Sequence, residues 1–248
     1  MQTVFITGCS SGFGLEIARF FLTKGWRVVA TMRTPRHDLL PPSENLTILP
    51  LDVTDPDSIR TAVDAAGPID VLVNNAGIGW MNAVEGTSLG VANDLFQTNV
   101  IGLIATTQAV LPQFRARRAG VIVNISSSVT LKALPLLSVY SASKAAVNAF
   151  TESAALELAA FDIRVRAVLP GRAPDTRFGE TARDRIQQQG GFPEAYGALV
   201  ANVFAGWQQD NADTTRVEDV TAAVWLAATD PASPICIPAG ADAVALAA

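Results

Sequence analysis

Short apolar runs alternate with amphipathic segments along most of the chain. They lie near residues 4–7, 27–31, 46–51, 69–74, 120–125 and 163–169. Apolar runs separated by helical patterns are typical of buried parallel strands joined by helices, and Pro56 and Asp57 favour the first turn of one such helix. The alternation predicts an α/β fold with a doubly wound parallel sheet, built as a single domain over residues 1–248.

Residues 172–211, called the substrate segment below, interrupt this alternation. Large side chains recur in it at helical spacing, at Tyr196, Leu199, Val200, Val203, Phe204 and Trp207. A stripe of this kind can pack against the core, or it can cover a binding site as a lid. The sequence leaves both interpretations open.

Composition narrows the classes of partner. Hydrophobic residues make up 49% of the 248 residues and charged residues 17%, which indicates surface buried by self-association. The formal net charge of -5 disfavours non-specific binding to nucleic acid. We therefore expect a small-molecule substrate and a homo-oligomer.

The sequence predicts neither a metal site nor a membrane-spanning segment. Cys9 and Cys236 lack the spacing of metal ligands, and His37 is the only histidine, so we expect no metal site. The longest apolar stretch, 100–114, is interrupted by polar residues, and we expect no membrane span. Without a secretory type of start, the expected location is the reducing cytoplasm.

A glycine-rich turn follows the first apolar run. Its spacing is G-x-x-x-G-x-G, and a helical pattern begins within it. Glycines permit a tight strand-to-helix turn and a close approach of a diphosphate to backbone N–H groups at the helix start. The turn predicts dinucleotide contacts at Gly8, Ser10, Ser11, Gly12, Phe13 and Gly14.

A second group of residues suggests proton transfer. Tyr140 and Lys144 are four residues apart, which places them one turn apart on one helix face. A phenol titrates near 10, and a fixed cation beside it lowers that pKa. Ser127, thirteen residues upstream, can hold a carbonyl or alcohol oxygen beside the phenol.

Seven pieces of the sequence together resemble the short-chain dehydrogenase/reductase family. They are Thr7-Gly8-x-x-x-Gly12-x-Gly14, Leu51-Asp52-Val53, Asn74-Asn75-Ala76-Gly77, Asn99, Ser127, Tyr140-x-x-x-Lys144 and Pro170-Gly171. They occur in the family's order over residues 7–171. The resemblance implies a Rossmann fold and hydride transfer between a nicotinamide cofactor and a carbonyl/alcohol pair.

The resemblance also assigns roles. Tyr140 would act as general acid or base, and Lys144 would bind the nicotinamide ribose and lower the Tyr140 pKa. Ser127 would orient the substrate oxygen, with Ser126 and Ser128 as alternatives disfavoured by the spacing. Asn99 would hold a water that links Lys144 to solvent; an ordinary hydrogen bond between helices is the alternative.

Further cofactor contacts follow from the same resemblance. They are Asp52, Val53, Asn75, Ala76, Gly77, Tyr140, Lys144, Pro170, Gly171 and Thr176. Asp52 would contact the adenine, although it can also cap the next helix. Thr176 stands six residues after Pro170, where the family places a threonine five residues after its proline.

The end of the second strand predicts NADP(H) over NAD(H). An acidic residue there would bind a free ribose 2′-hydroxyl and repel a 2′-phosphate, but residues 28–33 contain none. Arg33, helped by Ser10 or Ser11, can pair with that phosphate. A solvated arginine is the alternative interpretation.

The leading prediction is an NADP-dependent carbonyl reductase or alcohol dehydrogenase. The alternatives are a silent cofactor-binding sensor and a sugar-nucleotide epimerase or dehydratase. An apolar substrate is indicated by Trp80, Met81, Leu134, Leu136, Leu137, Phe178, Phe192, Tyr196, Phe204 and Trp207. Against it, an anion could bind Arg172, Arg177, Arg183 and Arg185.

Self-association is expected as a homodimer through two long helices near 90–116 and 138–161. Many relatives pack a C-terminal strand across a tetramer interface. Here Pro234 and Pro238 limit strand pairing. A homotetramer is therefore disfavoured but stays possible.

Overall fold

A computed structural model describes residues 1–174, 176–209 and 214–248. Its seven strands form one parallel sheet in the order β3-β2-β1-β4-β5-β6-β7. The strands are β1 (Thr3–Ile6), β2 (Arg27–Met32), β3 (Leu46–Pro50), β4 (Val71–Asn74), β5 (Gly120–Ile125), β6 (Ile163–Pro170) and β7 (Cys236–Ala239). All six predicted strands are confirmed, within two residues at each end.

Helices connect successive strands except β2 and β3, which a loop joins. They are α1 (Gly12–Thr23), α2 (Pro56–Ala66), α3 (Leu89–Phe96), α4 (Gly102–Arg117), α5 (Ser138–Ala159), α6 (Arg177–Gln188), α7 (Gly197–Gln209), α8 (Val217–Thr229) and α9 (Ala241–Ala247). A π-helical turn, Gln97–Ile101, joins α3 to α4, and 3₁₀ turns occupy Ser128–Thr130 and Glu194–Tyr196. Within the described ranges, no helix is long and apolar enough to cross a membrane.

Both faces of the sheet are covered, as predicted for a doubly wound sheet. On one face α1 and α8 bury Ile17, Phe21 and Val224 against the strands. On the other face α2, α4 and α5 supply a second core that includes Ile59 and Phe114. Burial on both faces explains why the strands are continuous apolar runs.

The strand order reverses between β1 and β4, and this positions the site. Val4 of β1 pairs with Val28 of β2 on one side and with Val71 of β4 on the other. The connections from these neighbours leave in opposite directions, so a crevice opens at the carboxyl ends of β1 and β4. The glycine turn follows β1 at this edge, and Asn75 follows β4.

The C-terminal strand β7 was not predicted. Ile237 of β7 pairs with Val168 of β6, and Pro238 pairs with Leu169. A proline is tolerated because β7 is the last strand of the sheet, where one side needs no ladder hydrogen bonds. The prolines therefore limit β7 to an edge position without preventing the strand.

The long helix predicted near residues 90–116 is divided in the structure. Helical structure begins at Leu89, where Ser88 Oγ accepts a hydrogen bond from Val91 N at 3.2 Å, and a π-helical turn separates α3 from α4. Asn99 lies in the π-helical turn between α3 and α4. Such turns are frequent at functional sites.

Candidate active site

The glycine turn is held in a conformation that requires its glycines. Gly8 and Gly12 have positive φ angles of 76° and 56°. A Cβ at Gly14 would collide with the Gly8 carbonyl oxygen and with Asn75 Nδ2. The start of α1 is thereby packed against the turn, so its free N–H groups face the crevice edge.

Asn75 connects this turn to β4. Its Nδ2 donates to the carbonyl oxygens of Thr7 at 2.9 Å and Gly8 at 3.1 Å. Thr7 Oγ1 accepts from the backbone N–H groups of Asn75 and Ala76, both at 3.0 Å. The Asn75 amide therefore positions the glycine turn. Thr7 also positions the glycine turn, a role that the sequence motif alone does not predict. Its place at the carboxyl end of a buried strand is the feature of the sequence that could have indicated it.

The residues expected around the adenosine end lie beside one another. Arg33 follows β2 and is exposed, and its charge acts on Asp52. Hydrogen bonds from Thr54, aided by Arg33, lower the Asp52 pKa, with burial opposing them. Asp52 Oδ1 accepts from Thr54 N at 2.9 Å and thus closes a turn. The helix cap is Asp55, which accepts from Asp57 N at 2.9 Å, so the capping interpretation of Asp52 was wrong.

A cleft of about 280 Å³ opens beside the glycine turn. It is lined by Ser10, Ser11, Gly12, Leu15, Glu16, Arg36, Leu39, Thr176 and Val217. Arg36 thus lies beside the glycine turn, but it pairs with Asp38 at 2.6 Å. That pair raises the Arg36 pKa. Two arginines therefore lie near the predicted 2′-phosphate position, and one already has a carboxylate partner.

Ser127, Tyr140 and Lys144 are brought together at the carboxyl end of β5. Tyr140 and Lys144 occupy the first two turns of α5, and all three side chains are buried. Ser127 is a hydrogen-bond partner of Tyr140. Lys144 Nζ donates to the Ile125 carbonyl oxygen at 2.9 Å and lies 6.0 Å from the centre of the Tyr140 ring.

Burial dominates the electrostatics of this group. It raises the Tyr140 pKa to about 12, and the hydrogen bond with Ser127 opposes the rise. Burial also lowers the Lys144 pKa to about 8. The predicted lowering of the Tyr140 pKa is therefore wrong for the polypeptide on its own, since desolvation of the phenolate outweighs an ammonium held by a backbone carbonyl.

Asn99 lies on the other side of Lys144. Its Oδ1 accepts from Ile78 N at 2.8 Å, and its Nδ2 donates to Ile78 O at 3.0 Å and to Ser143 Oγ at 3.2 Å. A Cβ at Gly77 would lie 3.2 Å from Asn99 Oδ1 and 3.6 Å from Lys144 Nζ. Because Gly77 has no side chain, the space between Asn99 and the Lys144 ammonium stays open. The Asn99 side-chain amide connects the π-helical turn to the backbone of Ile78.

Ser127 is supported from α5 by residues that sequence reasoning missed. Asn148 Nδ2 donates to Thr130 Oγ1 at 2.9 Å, and Thr130 Oγ1 lies 2.9 Å from the Ser127 carbonyl oxygen, to which it donates. Asn148 stands eight residues after Tyr140, and this helical spacing was the available signal. Ser126 is engaged elsewhere, donating to the Lys144 carbonyl oxygen at 3.2 Å. The arrangement favours Ser127 over Ser126 as the residue facing Tyr140.

The substrate segment packs over the Tyr140 side of the site. Buried Trp80, Met81, Leu136, Tyr140 and Ile186 form a cluster. Packed against it are Leu137, Phe192, Tyr196, Val200, Val203 and Trp207, among others. The stripe on α7 is therefore mainly a packing surface above the site, and its outer residues Leu199 and Phe204 are 39% and 37% exposed.

Two arginines of the substrate segment donate to backbone carbonyl oxygens. Arg172 donates to Trp207 O at 3.3 Å, and Arg183, exposed on α6, donates to Gly179 O at 3.4 Å. The side chains of Arg177 and Phe178 lie outside the described residues. Two contacts hold the middle of the segment: Asn82 Nδ2 donates to Gly191 O at 2.9 Å, and Tyr196 Oη donates to Glu85 Oε2 at 3.2 Å.

The remaining predicted cofactor residues lie along the crevice edge. Pro170 ends β6 and Gly171 follows it. Thr176 is buried before α6, and a Cβ at Gly12 would lie 3.7 Å from the Thr176 Cβ. Val53 is buried behind Asp52, and Phe13 is half-buried on α1. Among the described residues no cluster of His, Cys, Asp and Glu suitable for a metal ion occurs.

Comparisons with known proteins identify a family and a fold that this chain shares. The short chain dehydrogenase family model matches residues 2–187. Retinol dehydrogenase 8 of Bos taurus is 39% identical over 184 residues, which is 68% of this chain and 58% of that protein. 3-Ketodihydrosphingosine reductase of Bacteroides thetaiotaomicron is 37% identical, covering 79% of this chain and 71% of the relative. The chain thus spans less than two thirds of the length of the retinol dehydrogenase.

Solved structures show the same fold. A short-chain dehydrogenase from Streptomyces avermitilis superposes with a TM-score of 0.82 at 33% identity, over 99% of this chain and 90% of the other. A serine dehydrogenase complexed with NADP⁺ gives a TM-score of 0.79 at 29% identity, over 96% and 94%. Both likenesses cover more of this chain than the 2–187 segment that the family model matches.

Proposed function

The chain belongs to the short-chain dehydrogenase/reductase family, and from this membership we propose that it is an NADP-dependent oxidoreductase interconverting a ketone or aldehyde and an alcohol. The observation that carries the proposal is the convergence of Ser127, Tyr140 and Lys144 at the carboxyl edge of the sheet. The glycine turn lies at the same edge, after β1. A cofactor bound there would reach a substrate held at Tyr140.

The crevice fits a dinucleotide in extended form. The turn from Gly8 to Gly14 would hold the diphosphate, the segment Asn75–Gly77 would line the ribose region, and Lys144 would bind the nicotinamide ribose. When bound, the nicotinamide supplies or accepts the hydride. Structures similar to this one contain NADP⁺ in one case and NADH in another, so the preference between the two must come from this chain's own residues.

Arg33 supports NADP(H). It is exposed at the end of β2, and no acidic residue stands in residues 28–33 to repel a 2′-phosphate. A planar guanidinium can form two parallel hydrogen bonds to a phosphate. Arg36 lines the adjacent cleft and could contribute once its pairing with Asp38 is given up.

The protonation states suit reduction at neutral pH. Burial keeps the proton on Tyr140, whose pKa is about 12, so the phenol is in the form that donates a proton to a developing alkoxide. Ser127, which is hydrogen-bonded to Tyr140, would donate a hydrogen bond to the same substrate oxygen. Lys144, with a pKa of about 8, is close to the pH at which it can pass on a proton.

The packing around Tyr140 supports an apolar substrate. Tyr140 belongs to one apolar cluster with Trp80, Met81, Leu136 and Ile186, and burial of apolar substrate area there is worth roughly 25 cal/mol per Å². The names of two relatives, a retinol dehydrogenase and a 3-ketodihydrosphingosine reductase, refer to substrates with long hydrocarbon portions. We infer a bulky, uncharged ketone or secondary alcohol.

A substrate panel tests this proposal. Oxidation of NADPH is followed by absorbance with apolar ketones of increasing size, with 2-oxo acids and with phosphorylated ketones. We expect the highest kcat/KM for bulky apolar ketones. A preference for the anionic compounds that Arg172→Ala abolishes would contradict the apolar assignment. NADPH binding without turnover of any compound would favour the sensor alternative, and product isomers formed without net oxidation would favour an epimerase.

A further inference from the structure

A carboxylate from the C-terminal helix joins the turn that follows β6. Asp242, in the first turn of α9, accepts a hydrogen bond at Oδ2 from the backbone N–H of Arg172 at 2.6 Å. Its Oδ1 accepts from Thr215 Oγ1 at 2.6 Å. Both distances are typical of strong hydrogen bonds to a charged acceptor.

Thr215 completes the connection. It is buried, its backbone N–H donates to the Arg172 carbonyl oxygen at 2.9 Å, and its Oγ1 accepts from Gly171 N at 2.9 Å. Its hydroxyl also lies 2.9 Å from the Ala239 carbonyl oxygen. A hydroxyl has one proton, and the shorter contact to a charged oxygen assigns it to Asp242.

Two glycines make room for this group. A Cβ at Gly171 would collide with both carboxylate oxygens of Asp242, and a Cβ at Gly240 would collide with Thr215 Oγ1. The requirement for glycine at position 171 is therefore explained by Asp242 as well as by the cofactor contact predicted from the sequence. The Pro170–Arg172 turn, α9 and the residues before α8 can pack together in this way only when positions 171 and 240 are glycines.

The location of these residues has a consequence for the active site. Arg172 is the first residue of the substrate segment, and Thr215 lies just after its end. Asp242 thus binds the chain at residue 172 and again at residue 215, on either side of a segment whose Ile186, Val200 and Trp207 belong to or pack against the cluster that contains Tyr140. The same carboxylate holds the backbone of the Pro170–Arg172 turn, which faces the proposed nicotinamide position.

We propose that Asp242 is a positioning residue that holds the two roots of the substrate segment together and thereby aligns the segment and the Pro170-Gly171 turn over the site. It touches neither substrate nor cofactor and acts through Arg172 and Thr215. The effect on catalysis rests on the proposed function, whereas the effect on the segment does not. Misplacement by about 1 Å can cost up to roughly a hundredfold in rate.

The test compares Asp242→Asn and Thr215→Val with Asp64→Asn, which alters an exposed carboxylate on α2. Trypsin cleavage within α6, after Arg183 or Arg185, reports the segment without any turnover. NADPH affinity, kcat and KM report the site, and thermal unfolding reports global stability. We expect both variants to be cleaved about tenfold faster and to lose roughly tenfold or more in kcat/KM, with Asp64→Asn unchanged.

Two further variants strengthen the test. Thr215→Ser keeps the hydroxyl and should be cleaved by trypsin at the wild-type rate and show wild-type kinetics. The double variant Asp242→Asn/Thr215→Val should be no worse than the more affected single variant, because both changes break the same connection. If Asp242→Asn does not fold, Thr215→Val and Thr215→Ser, which keep the carboxylate, decide by the same measurements.

The outcomes separate the two levels of the proposal. Cleavage at the wild-type rate in folded Asp242→Asn or Thr215→Val would overturn the positioning role, whatever the activity. Additive effects in the double variant would also contradict a shared connection. If no compound is turned over at all, the proposed function fails, while faster cleavage would still establish the structural connection.

Discussion

Tyr140 and Lys144 show how burial sets the chemistry of single residues. Both side chains leave water, and in each case the neutral form is favoured, so the two pKa values move apart, to about 12 for Tyr140 and about 8 for Lys144. Their spacing in the sequence was enough to place them on one helix face. The spacing could not predict the direction in which the Tyr140 pKa shifts, because that direction depends on how deeply the folded protein buries the phenol.

Replacing Tyr140 tests the proton donor. Tyr140→Phe removes the hydroxyl and keeps the ring in its cluster, so we expect kcat to fall by about 10²–10⁴ with NADPH affinity nearly unchanged. The chain's only other tyrosine offers a matched control: Tyr196→Phe removes a hydroxyl that donates to Glu85 near the edge of the substrate segment. Steady-state kinetics that show equal losses in the two variants would reject the assignment.

Replacing Lys144 tests the lowered pKa. Between pH 8 and 10.5 the unfolded chain still holds a proton that folded Lys144 has released, so this residue makes the wild type more stable as pH rises. Lys144→Met has no such group. We expect the unfolding free energy of wild type, relative to the variant, to rise by about 2 kcal/mol from pH 7 to pH 9.5.

Denaturant titrations at the two pH values measure this difference without the cofactor. Titration of all other groups cancels in the comparison, because wild type and variant share them. Lys132→Met, at an exposed position, is the control and should follow the wild type at both pH values. A pH-independent gap between wild type and Lys144→Met would show that Lys144 titrates normally in the folded protein.

At the scale of elements, α5 organises the site by its periodicity. Tyr140, Lys144 and Asn148 stand four residues apart along one face and reach Ser127, the Ile125 carbonyl and Thr130. The first two were predictable because a phenol and an ammonium at this spacing suggest chemistry. Asn148 was not, since an asparagine carries no such signal until its partner is known.

The strands were predictable for a related reason. Strands buried on both faces are mostly apolar, and all six predicted runs appear in the sheet, although β6 also carries Arg164 and Arg166 and β3 is only partly buried. β7 escaped prediction because Pro238 is normally evidence against a strand, and only the three-dimensional position at the sheet edge removes that objection. The π-helical turn at Asn99 likewise leaves no pattern in the sequence.

The loop after β2 carries Arg33, which we expect to decide the choice between NADPH and NADH. Arg33→Asp introduces the missing acid, so we expect the NADPH preference over NADH to fall by about ten- to a hundredfold, the value of one charge-assisted contact. Arg36→Asp is the matched variant, and its effect should be smaller because Arg36 already pairs with Asp38. Binding constants from cofactor fluorescence measure both. A wild type that prefers NADH, or a larger effect of Arg36→Asp, would contradict the assignment to Arg33.

At the scale of the whole molecule, α4 and α5 leave one apolar surface uncovered. Val147 of α5 packs against Val100 of the π-helical turn and Leu103 of α4. On the outer side, α5 exposes Ala142, Ala145, Ala149 and Leu156, and Ile101 is exposed at the end of the π-helical turn. Small residues along a helix allow the close approach of a second helix, and we propose that two copies of the chain meet here as a homodimer.

Leu156→Glu tests this dimer. Leu156 is 79% exposed, so a charge there leaves the fold intact but must be desolvated in an interface that buries about 800 Å² on each copy. We expect sedimentation equilibrium to show a dimeric wild type and a variant that dissociates at least about tenfold more readily. The control is Leu226→Glu on α8, 39% exposed on the opposite face of the sheet, which should remain dimeric. A monomeric wild type would reject the proposal, and dissociation caused by Leu226→Glu alone would place the interface on the α1–α8 face.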